Sequence, residues 1–301
     1  MAISETAARA ELALGWRHYF ELTKPKVVSL ILFTAAVGML LAMEGPVPWT
    51  QWVAGLFGIG LAAGAGAVFN HVAEARTDAL MERTRDRPLP SGRVTRDRAF
   101  LFGVALATAA LALLLLGTNA LAAALTFLSL IGYAAIYTLY LKRTTPQNIV
   151  WGGAAGAAPP LLGWVAITGS LDLEAWLLFL LIFTWTPPHF WALAIRRRHE
   201  YARAGLPMLP VTHGVAFTQW QVLGYTIMLL AVSLLPFALG WRGPLYLAGA
   251  VALGIGFVVQ ALRLFRQPEQ RAMSAFGYSI FYLTMLFVLL LADHWVQLAT
   301  G

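Results

Sequence analysis

The sequence has 301 residues and no cysteine, which excludes disulfide bonds, thiolate nucleophiles and cysteine metal sites. Charged residues are also scarce, because Asp, Glu, Lys and Arg make up only 12% of the chain, against about a quarter in an average soluble domain. The stretch before Lys24 lacks an apolar core with a small-residue cleavage site, so we expect no secretory signal peptide there. The same stretch contains Glu5, Glu11 and Glu21, which fits poorly with an acid-poor organellar transit peptide.

The sequence is rich in long apolar runs. Hydrophobic residues make up 59% of the chain, and a membrane-spanning helix needs about 20 consecutive apolar residues. The predicted fold class is therefore all-α, a polytopic membrane protein with nine transmembrane helices. These helices are predicted at residues 27–43, 52–70, 99–117, 120–141, 149–169, 173–195, 215–240, 244–262 and 275–292. Residues 1–26 are predicted to form a cytoplasmic N-terminal arm, and residues 27–301 a single nine-helix domain.

The basic residues predict the orientation of these helices. If the N-terminus is inside, 20 of the 21 Lys and Arg residues fall on the inner side and only Arg242 falls outside. This bias predicts a cytoplasmic N-terminus and an outside C-terminus. The formal net charge of +7 follows from the same bias, so it does not indicate nucleic-acid binding.

The first polar stretch follows the second apolar run. Asn70, Glu74 and Asp78 are spaced four residues apart, so a continued helix would place all three on one face. Carboxylate and amide oxygens are ligands that suit Mg²⁺ together with substrate phosphates. A second interpretation stays open, in which this is a polar helix end whose carboxylates are solvated or paired with nearby arginines.

Basic residues accompany this stretch and offer a site for a phosphorylated group. Arg83 and Arg87 lie in a compact loop that ends in Pro-Leu-Pro-Ser-Gly, and guanidinium groups bind phosphate through two hydrogen bonds. Lys142 and Arg143 form a second short loop on the inner side, from which they could reach the same cavity. Basic residues beside a spanning helix also set orientation and contact anionic lipid, and Arg76 needs no further role.

The second polar stretch lies at the end of the sixth apolar run, where Pro187 and Pro188 are predicted to break the helix. His189 lies within the run, where an ionisable side chain indicates a functional site. On a helix, Arg196 and Glu200 return to within about 20° of His189. Two alternatives stay open: a neutral His189 bonded to a neighbouring helix, and an Arg196 that only sets orientation.

These stretches together resemble the UbiA-type intramembrane prenyltransferases. The spacing of Asn70, Glu74 and Asp78, with a second polar cluster four helices later, is typical of that family. Within it, the chain is similar to the protoheme IX farnesyltransferases (heme O synthases). The stretches that carry this likeness are 22–25 (LTKP), 78–88, 142–153 and 187–211, the last with PPHFWALA and AGLPMLPV.

The resemblance implies a fold of nine helices around a central cavity. It implies transfer of a farnesyl group from farnesyl diphosphate to a vinyl group of heme B, with addition of water, to give heme O and diphosphate. Mg²⁺ is the implied cofactor. The implied location is the bacterial inner membrane with the active site facing the cytoplasm. The implied partners are the lipid bilayer and a heme A synthase or oxidase assembly proteins, with no nucleic acid.

The resemblance also assigns candidate site residues. The catalytic residues are expected to be Asn70, Glu74, Asp78 and His189, of which the first three hold Mg²⁺ through the diphosphate. The implied diphosphate-binding residues are Lys24, Arg83, Arg87, Lys142 and Arg143, and the second motif contributes Arg196 and Glu200.

Three positions depart from the family pattern. Glu74 stands where aspartate is usual, Arg76 where many heme O synthases have another aspartate, and His199 where the first acid of a pair is common. Having fewer acids leaves the number of Mg²⁺ ions open.

Two other functions stay open on the sequence alone. One is a related prenyltransferase that acts on an aromatic acid or a quinone precursor, since its first motif would bind the same kind of diphosphate. The other is a transporter or a non-catalytic assembly factor, although the acids of a transporter would be expected near the membrane midplane rather than at the inner rim. The heme-iron ligand is also open among His71, His189 and His213.

Overall fold

The structure is a computed structural model that describes residues 15–82 and 84–300, except for the side chain of Arg143. The first part of the predicted N-terminal arm, residues 1–14, lies outside the described residues, as does the predicted phosphate ligand Arg83.

Long helices account for nearly all of the described chain, which contains no β-strand. Among the described residues, eight helices are long and apolar enough to cross a membrane. The count reaches nine if a short helix, Gly15–Leu22, and the helix after it, which are bent by 50°, are taken as one span. This confirms the predicted all-α fold with many transmembrane helices. We label the long helices α1 Pro25–Leu41, α2 Trp49–Asp78, α3 Arg96–Gly117, α4 Ala120–Ile131, α5 Asn148–Thr168, α6 Leu173–Arg196, α7 Gly214–Ala238, α8 Pro244–Arg266 and α9 Pro268–Thr300.

Helix α6 lies at the centre of the bundle, where it packs against α5, α7 and α9. Helix α1 packs on α5, and α2 pairs with α3. The core between these helices contains large apolar side chains such as Leu181, Tyr282 and Phe287, all fully buried. Large apolar side chains such as Phe57 and Leu116 are exposed on the outside, as expected for helices that face lipid. The protein is therefore a multi-pass membrane protein.

Helix α2 is longer than the sequence indicated. It continues eight residues past the predicted end at Asn70 and stops at Asp78. The continuation puts Asn70, Glu74 and Asp78 on one helix, as their spacing required. Polar residues at this depth are tolerated because side chains from other elements satisfy them.

Helix α4 continues without a break into a π-helix, Gly132–Leu141. A short helix, Lys142–Thr144, follows it directly. A ten-residue π-helix is unusual, and such segments occur frequently at functional sites. The π-helix carries the chain into the Lys142 loop that the sequence pointed to.

The predicted break at Pro187 and Pro188 is wrong, because α6 runs continuously through both residues. Proline removes amide donors from a helix, but here both prolines are buried between packed neighbours, which hold the helix in place. Helix α6 ends at Arg196, since Arg197 leaves the helical region with φ −106° and ψ 17°. Glu200 belongs to a separate short helix, Arg198–Arg203. The prediction that Glu200 shares a helical face with His189 is therefore also wrong.

The opposite end of the bundle explains the one arginine predicted outside. Arg242 is buried and forms an ion pair with Glu174 at the start of α6. Beside it, Asp293 accepts hydrogen bonds from the backbone amides of Gly243, at 2.6 Å, and Tyr246, at 3.1 Å. These contacts satisfy free amides at the start of α8, so this polar group ties helix ends together.

Candidate active site

The polar face of α2 lies at the end of the bundle that was predicted to face the cytoplasm. Asn70, Glu74 and Asp78 are all buried, with exposed fractions of 3%, 8% and 1%. Their side chains are one helical turn apart, and each carries an oxygen that can accept a hydrogen bond or bind a cation. Burial of two carboxylates is costly unless each is paired, so each of them needs a basic partner.

Each of the three oxygen side chains has one basic partner, and each partner comes from a different part of the chain. The first precedes α1, the second follows α2, and the third follows the π-helix. The pairs are Lys24 Nζ donating to Asn70 Oδ1, Arg87 Nη1 donating to Asp78 Oδ2 at 2.7 Å, and Lys142 Nζ donating to Glu74 Oε1. Tertiary folding thus brings together Lys24, Arg87 and Lys142, three of the five residues predicted to bind diphosphate.

This paired cluster carries more positive than negative charge, with three basic groups against two carboxylates. Hydrogen-bond donors for a bound anion are therefore already in place. If the basic groups bind the anion instead of their present partners, the two carboxylates become available to a cation. Of the other predicted phosphate ligands, Arg83 and the Arg143 side chain lie outside the described residues.

The second carboxylate oxygen of Asp78 is the kind of atom that binds a divalent cation. This Oδ1 atom is buried and has no hydrogen-bond partner among the residues that the structure describes. Among the described residues, no group of three or more His, Cys, Asp or Glu side chains forms a complete metal site. A divalent ion held here would thus need oxygens from a bound ligand, as the prediction of Mg²⁺ held through diphosphate requires.

Three further residues shape this cluster, of which the sequence indicated only Thr84, as a neighbour of Arg83 and Arg87 in the loop placed for diphosphate. Thr84 is fully buried and donates to the Asp78 carbonyl at 2.8 Å, which fixes the loop to the end of α2. Thr138, on the π-helix, lies 3.5 Å from the Asn70 amide nitrogen. His71 Nδ1 lies 3.9 Å from Asp78 Oδ2, and both nitrogens of this buried ring lack a hydrogen-bond partner. The signal for Thr138 in the sequence was its place among Tyr133, Tyr137 and Tyr140 in an otherwise apolar run.

His189 lies on α6 and contacts α9. Its Nδ1 atom is 2.6 Å from Ser279 Oγ, and its ring is stacked between Trp185 and Phe276, with centroids 4.2 and 4.4 Å away. The Ser279 hydroxyl also donates to the Phe276 carbonyl at 2.6 Å. Having one proton, Ser279 therefore accepts from His189 Nδ1–H, which leaves the lone pair on Nε2. Of the two interpretations of His189, the histidine bonded to a neighbouring helix is the one observed, and its catalytic role stays a prediction.

We expect Ser279→Ala to destabilise the protein by about 1–3 kcal/mol, because the buried Nδ1–H of His189 would lose its only acceptor. Thermal unfolding in detergent checks this expectation. The matched control is Ser274→Ala, on the exposed side of the same helix, which should unfold like the wild type. Equal stability of the Ser279 variant would mean that the hydrogen bond contributes nothing.

The second-motif residues line two clefts at the same end of the bundle as the loop after α2. The larger has a volume of about 470 Å³ and is lined by Arg196, Arg197, His199, Glu200, Arg203 and Met273. The smaller, of about 240 Å³, is lined by Glu200, Arg203 and residues 79–82 and 85 from the loop after α2. Glu200 and Arg203 border both clefts, so the loop after α6 meets the loop after α2. The structure thus brings the two predicted motifs together through their loops.

A comparison with known protein families decides what kind of site this is. The family model described as the UbiA prenyltransferase family matches residues 31–291. The chain belongs to this family. The match includes the whole of the paired cluster except Lys24, which precedes it. The resemblance stated from the sequence is thereby confirmed.

The relatives of this UbiA protein include a curated protoheme IX farnesyltransferase from Thioalkalivibrio sulfidiphilus. The two are 62% identical over 299 residues, which is 99% of each chain. A second protoheme IX farnesyltransferase, from Azotobacter vinelandii, is 58% identical and covers 94% of this chain and 95% of its own. The likeness therefore extends over essentially the full length of both proteins.

Solved structures agree on the UbiA fold. A UbiA homologue from Archaeoglobus fulgidus bound to GPP and Mg²⁺ superposes with a TM-score of 0.63 at 14% identity, covering 91% of this chain and 99% of that one. At such identity the likeness concerns the fold alone.

Proposed function

We propose that this protein transfers the farnesyl group of farnesyl diphosphate to a vinyl group of heme B, with addition of water, and forms heme O and diphosphate. The observation that carries the proposal is the paired cluster, in which three basic groups and three oxygen ligands meet at the inner end of the bundle. Full-length relatives that are protoheme IX farnesyltransferases support heme as the acceptor.

The basic side chains of the cluster bind the diphosphate. Lys24 and Lys142 provide flexible ammonium groups, and Arg87 provides a planar guanidinium that can bind two phosphate oxygens at once. Each of them exchanges its partner on α2 for a phosphate oxygen when the substrate arrives. Arg83 and Arg143 are proposed as further ligands from the same loops.

Mg²⁺ is proposed as the cofactor, and the oxygen side chains of α2 fit it. Asn70, Glu74 and Asp78 would hold the ion, with the buried Oδ1 of Asp78 as an open donor. When bound, Mg²⁺ supplies positive charge that neutralises the diphosphate as it leaves. The Mg²⁺ and GPP bound by the Archaeoglobus fulgidus homologue support this choice.

The reaction breaks one bond of the donor and makes two bonds at the acceptor. The bond between farnesyl C1 and the diphosphate oxygen breaks, and both electrons leave with the diphosphate. Farnesyl C1 joins the terminal vinyl carbon, and the hydroxyl of a water molecule adds to the other vinyl carbon as its second proton is released. Fixed cations speed this reaction because they stabilise charge that develops on the leaving group.

The paired cluster is proposed to face the cytoplasm, with the N-terminus on the same side and the C-terminus outside. The positive-inside distribution of the basic residues supports this orientation. Both substrates would enter from the bilayer, and a heme A synthase or an oxidase assembly protein would receive the product.

The test is to incubate the purified protein with heme B, farnesyl diphosphate and Mg²⁺ and to analyse the extracted hemes by mass spectrometry. We expect heme O and released diphosphate, and both should disappear when Mg²⁺ is chelated. If folded protein forms no heme O under these conditions, the proposal is refuted. Prenylation of 4-hydroxybenzoate in place of heme would instead identify an aromatic-acid prenyltransferase.

A further inference from the structure

The larger of the two clefts is lined mostly by basic residues of the second motif. Three arginines and one histidine line it, against one acid, Glu200. A metal site would need acids, and His199 stands where one is common in the family. The cleft is therefore built to receive an anion.

Two of its arginines have no acidic partner. Arg197 pairs with Glu200 at 3.6 Å, whereas the neighbouring Arg198 pairs with Glu269 at 2.6 Å and does not line the cleft. Among the described residues, no carboxylate lies within ion-pair distance of Arg196 or Arg203. Arg203 Nε donates to the His199 carbonyl at 3.4 Å. The terminal nitrogens of both guanidinium groups remain available to a ligand, and each pair can bind one carboxylate through two hydrogen bonds.

The position of the cleft points to the acceptor rather than to the prenyl donor. Arg196 is seven residues, or two helical turns, after His189 on α6, so both lie on the same face. Met273 in the cleft wall is one turn before Phe276, which stacks on His189. None of the six residues of the paired cluster, which is proposed to bind the diphosphate, lines this larger cleft.

We infer that Arg196 and Arg203 bind the two carboxylates of an amphipathic acceptor, and thereby hold it against the ends of α6 and α9 that border the cleft. Under the proposed function, on which this inference rests, the acceptor is heme B and the carboxylates are its propionates. The volume of about 470 Å³ is ample for the carboxylate edge of such a molecule. The cleft is thus an acceptor-binding site in this chain.

The test compares heme B with its dimethyl ester, in which both propionates are uncharged. With wild-type protein, we expect the ester to bind about tenfold more weakly or worse, as measured by the change in heme absorbance on titration. Arg196→Gln and Arg203→Gln should weaken the binding of heme B to a similar degree and abolish the preference over the ester. In turnover, the KM for heme B should rise while the KM for farnesyl diphosphate stays unchanged.

The control variant is Arg198→Gln, which removes an equal charge from the same loop without touching the cleft, and it should keep the full preference. Equal binding of heme B and its ester by wild-type protein would overturn the inference, even if heme O still forms. If heme O does not form, the proposed function fails, and the titration still reports on the cleft.

The same proteins are compared in nanodiscs of phosphatidylcholine with and without phosphatidylglycerol. A preference that holds in both lipids supports the acceptor as ligand. Dependence on phosphatidylglycerol alone, with heme B and its ester equal, would show that the arginines serve lipid headgroups and would overturn the inference.

Discussion

Replacing Asp78 by asparagine should lower the rate of heme O formation by about two to three orders of magnitude. Asp78 is the most buried of the three oxygen side chains, and it combines an ion pair to Arg87 with an oxygen that has no partner. Asparagine has the same shape but no charge, so it would weaken the proposed hold on Mg²⁺. It would also leave Arg87 without its anion. The measurement is heme O per unit time at saturating farnesyl diphosphate and Mg²⁺.

Folding and catalysis must be separated in this experiment, because removing one partner of a buried ion pair is itself destabilising. Gel filtration in detergent and thermal unfolding establish that the variant is folded at the assay temperature. The matched control is Asp86→Asn in the same loop, where the side chain is 82% exposed and should leave the rate unchanged. If the folded Asp78 variant forms heme O at the wild-type rate, the Asp78 carboxylate is not needed for the reaction.

Replacing Gly38 by alanine should have the largest effect on stability. Helices α1 and α5 are in backbone contact there, and a Cβ atom on Gly38 would lie 2.0 Å from the Pro160 carbonyl oxygen. One turn further along α5, a Cβ on Gly163 would lie 2.2 Å from the Ala35 carbonyl oxygen. A backbone atom cannot rotate away, so the helices must separate. We expect a loss of about 3 kcal/mol or a failure to accumulate in membranes.

The yield of folded protein and its thermal unfolding in detergent measure this effect. Gly156→Ala is the control, because Gly156 lies on the same helix α5 and has nothing within 4 Å of the position of its Cβ. It should unfold at or slightly above the wild-type temperature, since alanine favours helix. Unchanged stability of the Gly38 variant would mean that α1 and α5 do not approach this closely.

Local patterns predicted much of the fold and part of the site. Apolar runs predicted the spans, because each spanning helix satisfies its own backbone and must be apolar along its length. The four-residue spacing of Asn70, Glu74 and Asp78 predicted a shared face, because helix geometry is fixed by the backbone alone. Helix ends were less predictable. The predicted end of α2 is eight residues too early, because the last two turns are polar and are stabilised by partners that lie far away in the sequence.

The sequence by itself therefore determined the number of spans, the polar face of α2 and the family. Tertiary structure decided which basic side chain meets which oxygen, as in the pairs of Asn70 with Lys24 and Glu74 with Lys142, 46 and 68 residues apart. It also decided that α6 stays whole through its prolines and that Ser279 holds His189, 90 residues away. The physical reason is that burial makes an unpaired polar group costly. The partner that relieves this cost is set by how helices pack, and no local pattern records it.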